Sequence, residues 1–76
     1  MKAYILINVD LHYIRTVAEA LRLVDGITQV YVVTGPYDMI AFLESADING
    51  ITQLVTDSIQ NIPGITKTLT GFVLPI

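Results

Sequence analysis

The sequence contains no cysteine. This absence excludes disulfide bonds, thiol catalysis and metal sites with Cys ligands, and it fits the cytoplasmic location that we expect. Basic residues are also few, because four Lys and Arg residues stand against seven Asp and Glu residues and the net charge is −3. The four are scattered and form no basic patch. We therefore expect no direct binding to nucleic acid and none to an anionic membrane surface.

Long apolar runs and recognisable catalytic groupings are missing as well. No run approaches the ~18 apolar residues of a transmembrane helix, and the run Ala3–Ile7 is too short for a signal peptide. The single histidine, His12, has no nearby Ser or Cys nucleophile and is expected at the surface. The carboxylates are dispersed, and no phosphate-binding loop or metal motif is present. We expect no catalytic residue, no metal and no cofactor, and hence no enzyme.

Apolar residues, in contrast, are abundant for so small a protein. Of the 76 residues, 53% are hydrophobic, and the mean hydropathy is +0.62. A single domain of this size buries only about 60% of the surface of its unfolded chain. The excess apolar surface is either exposed or buried against another copy, so we expect an obligate oligomer.

The clearest pattern in the sequence is the stretch Val30–Glu44, in which two β-prone runs flank a Gly-Pro pair. Gly35 permits a positive φ, and Pro36 fixes a turn φ and removes one N–H donor. This pattern predicts a hairpin with four residues at its tip: Thr34, Gly35, Tyr37 and Asp38. Such a tip suits recognition of a small polar molecule. The alternative is an ordinary tight turn in which Asp38 is only a turn residue.

Periodicity predicts four strands and two helices in the order β-α-β-β-α-β. The first helix opens at Asp10 or His12 and ends at Asp25-Gly26, and Asp47 is the N-cap of the second. The predicted strands are Lys2–Val9, Ile27–Thr34, Tyr37–Ser45 and Ile65–Leu74, and the second helix is Ile48–Asn61. Off the apolar stripe of the first helix lie four residues that we interpret as a solvated face: Arg15, Thr16, Glu19 and Arg22.

This order is the split βαβ or ferredoxin-like α+β fold, with a four-stranded antiparallel sheet. Two helices cover only one face of such a sheet, yet the strands are apolar on both faces. The simplest cover for the second face is another copy, packed sheet to sheet in a two-fold dimer. We expect residues 1–76 to form one ligand-binding and oligomerisation domain.

Two segments resemble one protein family. They are the tip, Val33-Thr34-Gly35-Pro36-Tyr37-Asp38, and the last strand with its approach, Ile62-Pro63-Gly64-Ile65 followed by Thr66-Lys67-Thr68-Leu69-Thr70-Gly71-Phe72-Val73-Leu74. Together with the first strand, they resemble the effector-binding domain of the Lrp/AsnC (feast/famine) transcription regulators. The match covers essentially the whole chain.

The resemblance implies a dimer formed through the sheet, which assembles further into a ring, often an octamer. It also implies that a small amino-acid effector binds in clefts where dimers meet. Carried onto this chain, the ligand contacts are Thr34, Gly35, Tyr37, Asp38, Thr68 and Thr70. Asp38 would pair with the α-ammonium group, and the Thr hydroxyls and N–H groups near Gly35 would hold the carboxylate.

The sequence differs from the family's full-length regulators at the N-terminus. Those regulators carry a helix-turn-helix domain before the effector domain, whereas this sequence begins at the first strand of the effector domain. This chain looks like a stand-alone effector domain that senses an amino acid and co-assembles with full-length regulators. Three other interpretations share the topology or the assembly. They are a small dimeric α/β-barrel enzyme of the monooxygenase or isomerase type, an ACT-type regulatory module and a purely architectural oligomer.

Overall fold

The computed structural model describes residues 1–76 and contains one four-stranded antiparallel sheet with two helices. The strand order is β2-β3-β1-β4, which is the ferredoxin-like order that the sequence predicts. The elements are β1 (Lys2–Val9), α1 (Ile14–Arg22), β2 (Ile27–Val32), β3 (Met39–Glu44), α2 (Ile48–Gln53) and β4 (Ile65–Phe72). A 3₁₀ turn (Leu11–Tyr13) precedes α1, and a π-helical segment (Leu54–Ile59) follows α2. No helix is long and apolar enough to span a bilayer.

The predicted bounds are correct for β1 and too wide for the other strands. β2 ends two residues before Thr34, β3 begins two residues after Tyr37, and β4 stops two residues before Leu74. The first helix also starts later than predicted. Asp10 accepts a hydrogen bond from the backbone N–H of His12 at 3.0 Å, and this contact stabilises a 3₁₀ turn before the α-helix begins.

The second helix is not the continuous α-helix that was predicted for Ile48–Asn61. It opens as expected, because the Asp47 carboxylate accepts from the N–H of Gly50 at 2.9 Å. From Leu54 it widens into the π segment, where the N–H of Gln60 donates to the carbonyl of Val55. Polar side chains also bond carbonyls four residues earlier: Thr52 to Ile48, Thr56 to Thr52 and Asn61 to Asp57. These bonds compete with the regular helical ladder and favour the wider turn.

The core lies between the helices and one face of the sheet. Alternate residues of β1, from Ala3 to Val9, are buried there, and the face of β3 that contains Ala41 joins them. The helices contribute five of the buried side chains: Val17, Ala18, Leu21, Ile51 and Ile59. All thirteen buried residues are apolar. The interior is therefore a hydrocarbon layer that supports the sheet and holds no titratable group.

The second face of the sheet, which we call the open face, carries no helix. Strand register places opposed residues on the same face, and the apolar members of the open face are Tyr4, Leu6, Tyr31, Ile40, Phe42, Leu69 and Val73. Tyr31 and Phe42 make an edge-to-face contact with ring centroids 6.3 Å apart. The prediction that the strands are apolar on both faces is therefore confirmed.

Candidate functional site

The hairpin tip projects from the sheet between β2 and β3. Gly35 has φ +117°, and a Cβ atom there would meet nothing within 4 Å, so the tip is open on that side. Thr34 and Gly35 are exposed, whereas Tyr37 is half-buried. The tip thus presents backbone groups and one hydroxyl to solvent on a rigid support, as the sequence predicts.

Asp38 faces inward and ties the tip to the end of β1. Its Oδ2 atom accepts from the backbone N–H of Val9 at 2.9 Å. Its own N–H donates to the carbonyl of Ile7 at 3.0 Å, and its carbonyl accepts from Val33 at 2.9 Å. These three bonds fix the carboxylate relative to the sheet. The second carboxylate oxygen, Oδ1, has no hydrogen-bond partner within the chain.

The two threonines that complete the predicted site lie on β4, on the far side of β1. Thr68 and Thr70 oppose Ile7 and Ile5, so both are on the face that the helices cover. Thr70 lines a cleft of about 190 Å³ between β4 and the second helix, together with Thr52 and Thr56. Thr68 lines a different cleft of about 260 Å³.

The six predicted ligand contacts therefore fall into two groups. The tip group extends from Thr34 to Asp38, and the β4 group consists of Thr68 and Thr70. Two strand spacings, roughly 10 Å, separate β3 from β4, and β1 fills the space between them. Neither cleft that contains a β4 threonine includes a tip residue. One small ligand that touched both groups would have to lie between copies of the chain.

The only charged contact within 4.0 Å lies at the junction of β1 and the 3₁₀ turn. There the Nδ1 atom of His12 is 3.1 Å from Oδ1 of Asp10, and the His12 side chain is 90% exposed. The backbone N–H of His12, and then its ring, hold the pKa of Asp10 below its ordinary value. Nowhere do three His, Asp or Glu residues converge as a metal site would require.

Besides the bond between Asp38 and Val9, sequence reasoning missed a contact of the Arg22 side chain. Arg22, at the end of α1, reaches the edge strand β2, where its Nη2 atom donates to the carbonyl of Val30 at 3.2 Å. The spacing along α1 gives the side of the helix on which Arg22 lies. It does not give the strand that lies beside that face, so the contact became visible only with the fold.

Comparison with known proteins identifies the family. The sequence model described as the Lrp/AsnC ligand binding domain matches residues 2–75. The chain belongs to this family.

Solved structures agree with the assignment. A protein of Thermus thermophilus has a TM-score of 0.93 at 28% identity, over 99% of this chain and 94% of that one. A hypothetical protein of Pyrococcus horikoshii has a TM-score of 0.89 at 30% identity, over 96% of this chain and 88% of that one. AsnC of E. coli has a TM-score of 0.91 at 26% identity, and the match covers 99% of this chain but 52% of AsnC. The fold therefore occurs both in chains of similar length and as about half of a regulator.

The curated relatives are of a different kind. Homocitrate synthase of Sulfurisphaera tokodaii is 31% identical over 62 residues, which is 82% of this chain and 13% of the enzyme. Homocitrate synthase of Saccharolobus solfataricus matches to the same extent. This chain thus spans only a small part of the length of the curated relatives that it matches.

Proposed function

We propose that this protein is an amino-acid-sensing effector-binding domain of Lrp/AsnC type. It modulates transcription by assembling with itself or with full-length regulators of the family. The observation that carries the proposal is the match to the family's ligand-binding domain over residues 2–75. A regulator of the same fold from Neisseria meningitidis has been solved as a complex with L-Met. At 21% identity that likeness concerns the fold alone, and the amino-acid ligand is our inference for this chain.

The ligand would lie between dimers, with the tip of one copy and the β4 threonines of another around it. The free Oδ1 atom of Asp38 suits an α-ammonium group, because a carboxylate accepts and an ammonium donates. The Thr34 hydroxyl and the backbone N–H groups near Gly35 would bind the carboxylate. Pro36 supplies no N–H, so fewer backbone donors are available at this tip than in a tip without proline.

The open face would form the two-fold dimer that precedes the ring. Its apolar side chains include Leu69, which is 51% exposed, and Tyr31, which is 48% exposed. Burying such surface contributes about 25 cal/mol per Å², which is large beside the marginal stability of a small domain. With four basic residues and a net charge of −3, the domain itself has no basis for binding DNA. Control of transcription would pass through its partners.

A second candidate function is regulation of an enzyme by the same kind of ligand sensing. The similarity to 62 residues of homocitrate synthases favours it, because the matched segment is 13% of those enzymes and has the length of one small domain. In that case the partner would be a biosynthetic enzyme. The interpretation as a dimeric α/β-barrel enzyme has less support, because every buried residue is apolar and the single histidine, His12, is exposed.

The test is a thermal-shift screen of the twenty amino acids, run beside light scattering to measure mass. Asp38→Asn is the informative variant, because it keeps an oxygen that can accept from Val9 but removes the charge that would pair with an ammonium group. The proposal is supported if one or a few amino acids raise the melting temperature of the wild type and the same amino acids do not raise that of Asp38→Asn. If an intact oligomer shows no shift with any amino acid at millimolar concentration, amino-acid sensing is wrong and an architectural role remains.

A further inference from the structure

A cleft lies between α1 and the end of β2, and its lining includes none of the six predicted ligand contacts. Its volume is about 370 Å³, and its lining residues are Ile14, Arg15, Ala18, Glu19, Arg22 and Val32. The charged residues follow the spacing i, i+4 and i+7, so they share one side of the helix. Three of the lining residues are apolar, and the three charged ones have the order plus, minus, plus along the helix. All three charged residues are exposed, as the sequence analysis expected of a solvated face, and two further features favour a binding site.

The first feature is that Arg22 is held in place. Its Nη2 atom donates to the carbonyl of Val30 at 3.2 Å, and this contact is partly buried. Val30 lies on β2, at the edge of the sheet. A guanidinium has five N–H donors in a fixed plane, so one bond orients it and leaves most donors free. Arg22 is therefore oriented before any ligand arrives.

The second feature is that no two oppositely charged groups among the three lie within 4.0 Å of each other. Arg15 and Glu19 are four residues apart, and Glu19 and Arg22 are three apart, which are the spacings that favour ion pairs on a helix. Even so, the only charged pair within 4.0 Å in the structure is His12 with Asp10. Two cations and one anion thus line one cleft with their charges available, in a chain that has four Lys and Arg residues in all.

We propose that this cleft is a second ligand site and that it takes a free α-amino dicarboxylate, the class to which aspartate and glutamate belong. The ligand's charges, minus, plus, minus, complement those of Arg15, Glu19 and Arg22. Arg22 would bind one carboxylate in a bidentate contact, Arg15 the other, and Glu19 the ammonium group. Ile14 and Val32 would contact the methylene chain. This proposal is independent of the tip site, because it uses none of its residues.

The test uses the full chain with L-glutamate as the probe. Amide resonances are followed by NMR, and affinity is measured by calorimetry. We expect saturable binding with shifts concentrated in residues 14–32. Because charge-assisted contacts carry the affinity, Arg22→Gln and Glu19→Gln should each weaken binding about 10- to 100-fold. Arg22→Lys keeps the positive charge but loses the planar guanidinium group, so its affinity for L-glutamate should lie between those of wild type and Arg22→Gln.

Two ligand analogues and one matched variant complete the experiment. Glutarate lacks the ammonium group and L-glutamine lacks the second carboxylate, so each should bind about tenfold more weakly than L-glutamate. Lys67→Gln removes one positive charge from β4, on the opposite edge of the sheet, and should leave binding unchanged. Equal weakening by Lys67→Gln and Arg22→Gln would overturn the proposal, as would full affinity in Arg22→Gln. Shifts confined to residues 34–38 would also overturn it, while supporting the tip site.

Discussion

The ring of Tyr4 lies across Gly71 on the adjacent strand. The two residues are directly opposed in the pairing of β1 with β4, on the open face. A Cβ atom on Gly71 would come within 2.7 Å of Cε1 of Tyr4 and nearer still to the hydroxyl end of the ring. Because Gly71 has no side chain, the Tyr4 ring can lie flat across it. A larger residue at position 71 would occupy the space that the ring fills. The proposed sheet-to-sheet dimer would require such a level surface in the middle of the open face.

Gly71→Ala should therefore weaken the dimer that we propose for the open face. The added methyl group would push the Tyr4 ring out of the sheet surface, and overpacking of this kind typically costs about 1–3 kcal/mol. The measurement is the dimer dissociation constant from sedimentation or light scattering across a dilution series. In a Tyr4→Ala background, Gly71→Ala should have little further effect. If Gly71→Ala weakens the dimer equally with Tyr4 and with Ala at position 4, this explanation is wrong.

Asp38→Ala should destabilise the fold even without ligand. It removes the acceptor of the Val9 N–H and leaves a partly buried donor unpaired, which costs about 1–3 kcal/mol. Asp38→Asn keeps an oxygen that can accept this hydrogen bond, so its stability should fall much less than that of Asp38→Ala. Urea denaturation of the two variants measures the difference. Equal stability of Asp38→Ala and wild type would show that the Val9 bond is not stabilising.

Asp47→Ala should destabilise the second helix by about 1 kcal/mol, the usual loss for an N-cap. Asp47→Ser retains a side-chain oxygen for the N–H of Gly50 and should restore most of the stability. Amide hydrogen exchange across residues 48–59 tests whether the loss is local to this helix. Uniform faster exchange across the whole sheet would count against a local capping role.

The contact between Asp10 and His12 predicts a pH dependence. Because the His12 N–H holds the pKa of Asp10 below the ordinary value of 3.8, the contact contributes its full stability above that value. The contribution is lost as the pH falls through the lowered pKa. Wild type should therefore be more stable than Asp10→Asn at neutral pH, and the gap should close in acid. Thermal melts from pH 7 down to roughly pH 2 measure this gap.

His12→Gln is the control for that experiment. It removes the ring but leaves the backbone N–H, which is the larger cause of the lowered pKa. Most of the pH dependence should survive in this variant. If it disappears, the ring and not the backbone bond is responsible.

Leu69→Asp should disrupt the proposed open-face dimer without unfolding the chain. Leu69 is 51% exposed on the open face, so a charge there meets solvent in the monomer but an apolar surface in the dimer. Thr66→Asp is the matched control, because Thr66 is exposed on the same strand but not among the open-face residues. Light scattering should show a smaller mass for Leu69→Asp alone. An unchanged mass would mean that the copies meet elsewhere.

The fold followed from the sequence where local chemistry decides the structure. The alternation of β1, the Asp47 cap and the Gly35-Pro36 turn are each set by neighbouring residues, and each lies where the pattern placed it. The π-helical segment, in contrast, was not predicted from the sequence. Its apolar spacing is compatible with an α-helix, and the change depends on Thr and Asn side chains that bond carbonyls one turn back.

The candidate site was less accessible to prediction. The sequence identified Asp38 as a tip residue, but its bond to Val9 joins residues 29 positions apart and depends on the pairing of β1 with β3. The sequence also grouped Thr68 and Thr70 with the tip, although β1 lies between them in one chain. Tertiary register and the arrangement of copies decide these relationships, and neither is encoded in a local pattern.

The bond from Arg22 to Val30 has one further consequence, for protein solubility. Exposed edge strands invite pairing with strands of other molecules, and a chain with 53% hydrophobic residues is prone to such growth. Arg22 occupies a carbonyl at the edge of β2 and places a positive charge where an incoming strand would have to lie. A strand approaching this edge would have to displace that charged side chain first. Contact between sheet faces, through which we propose that the copies assemble, is not hindered in this way.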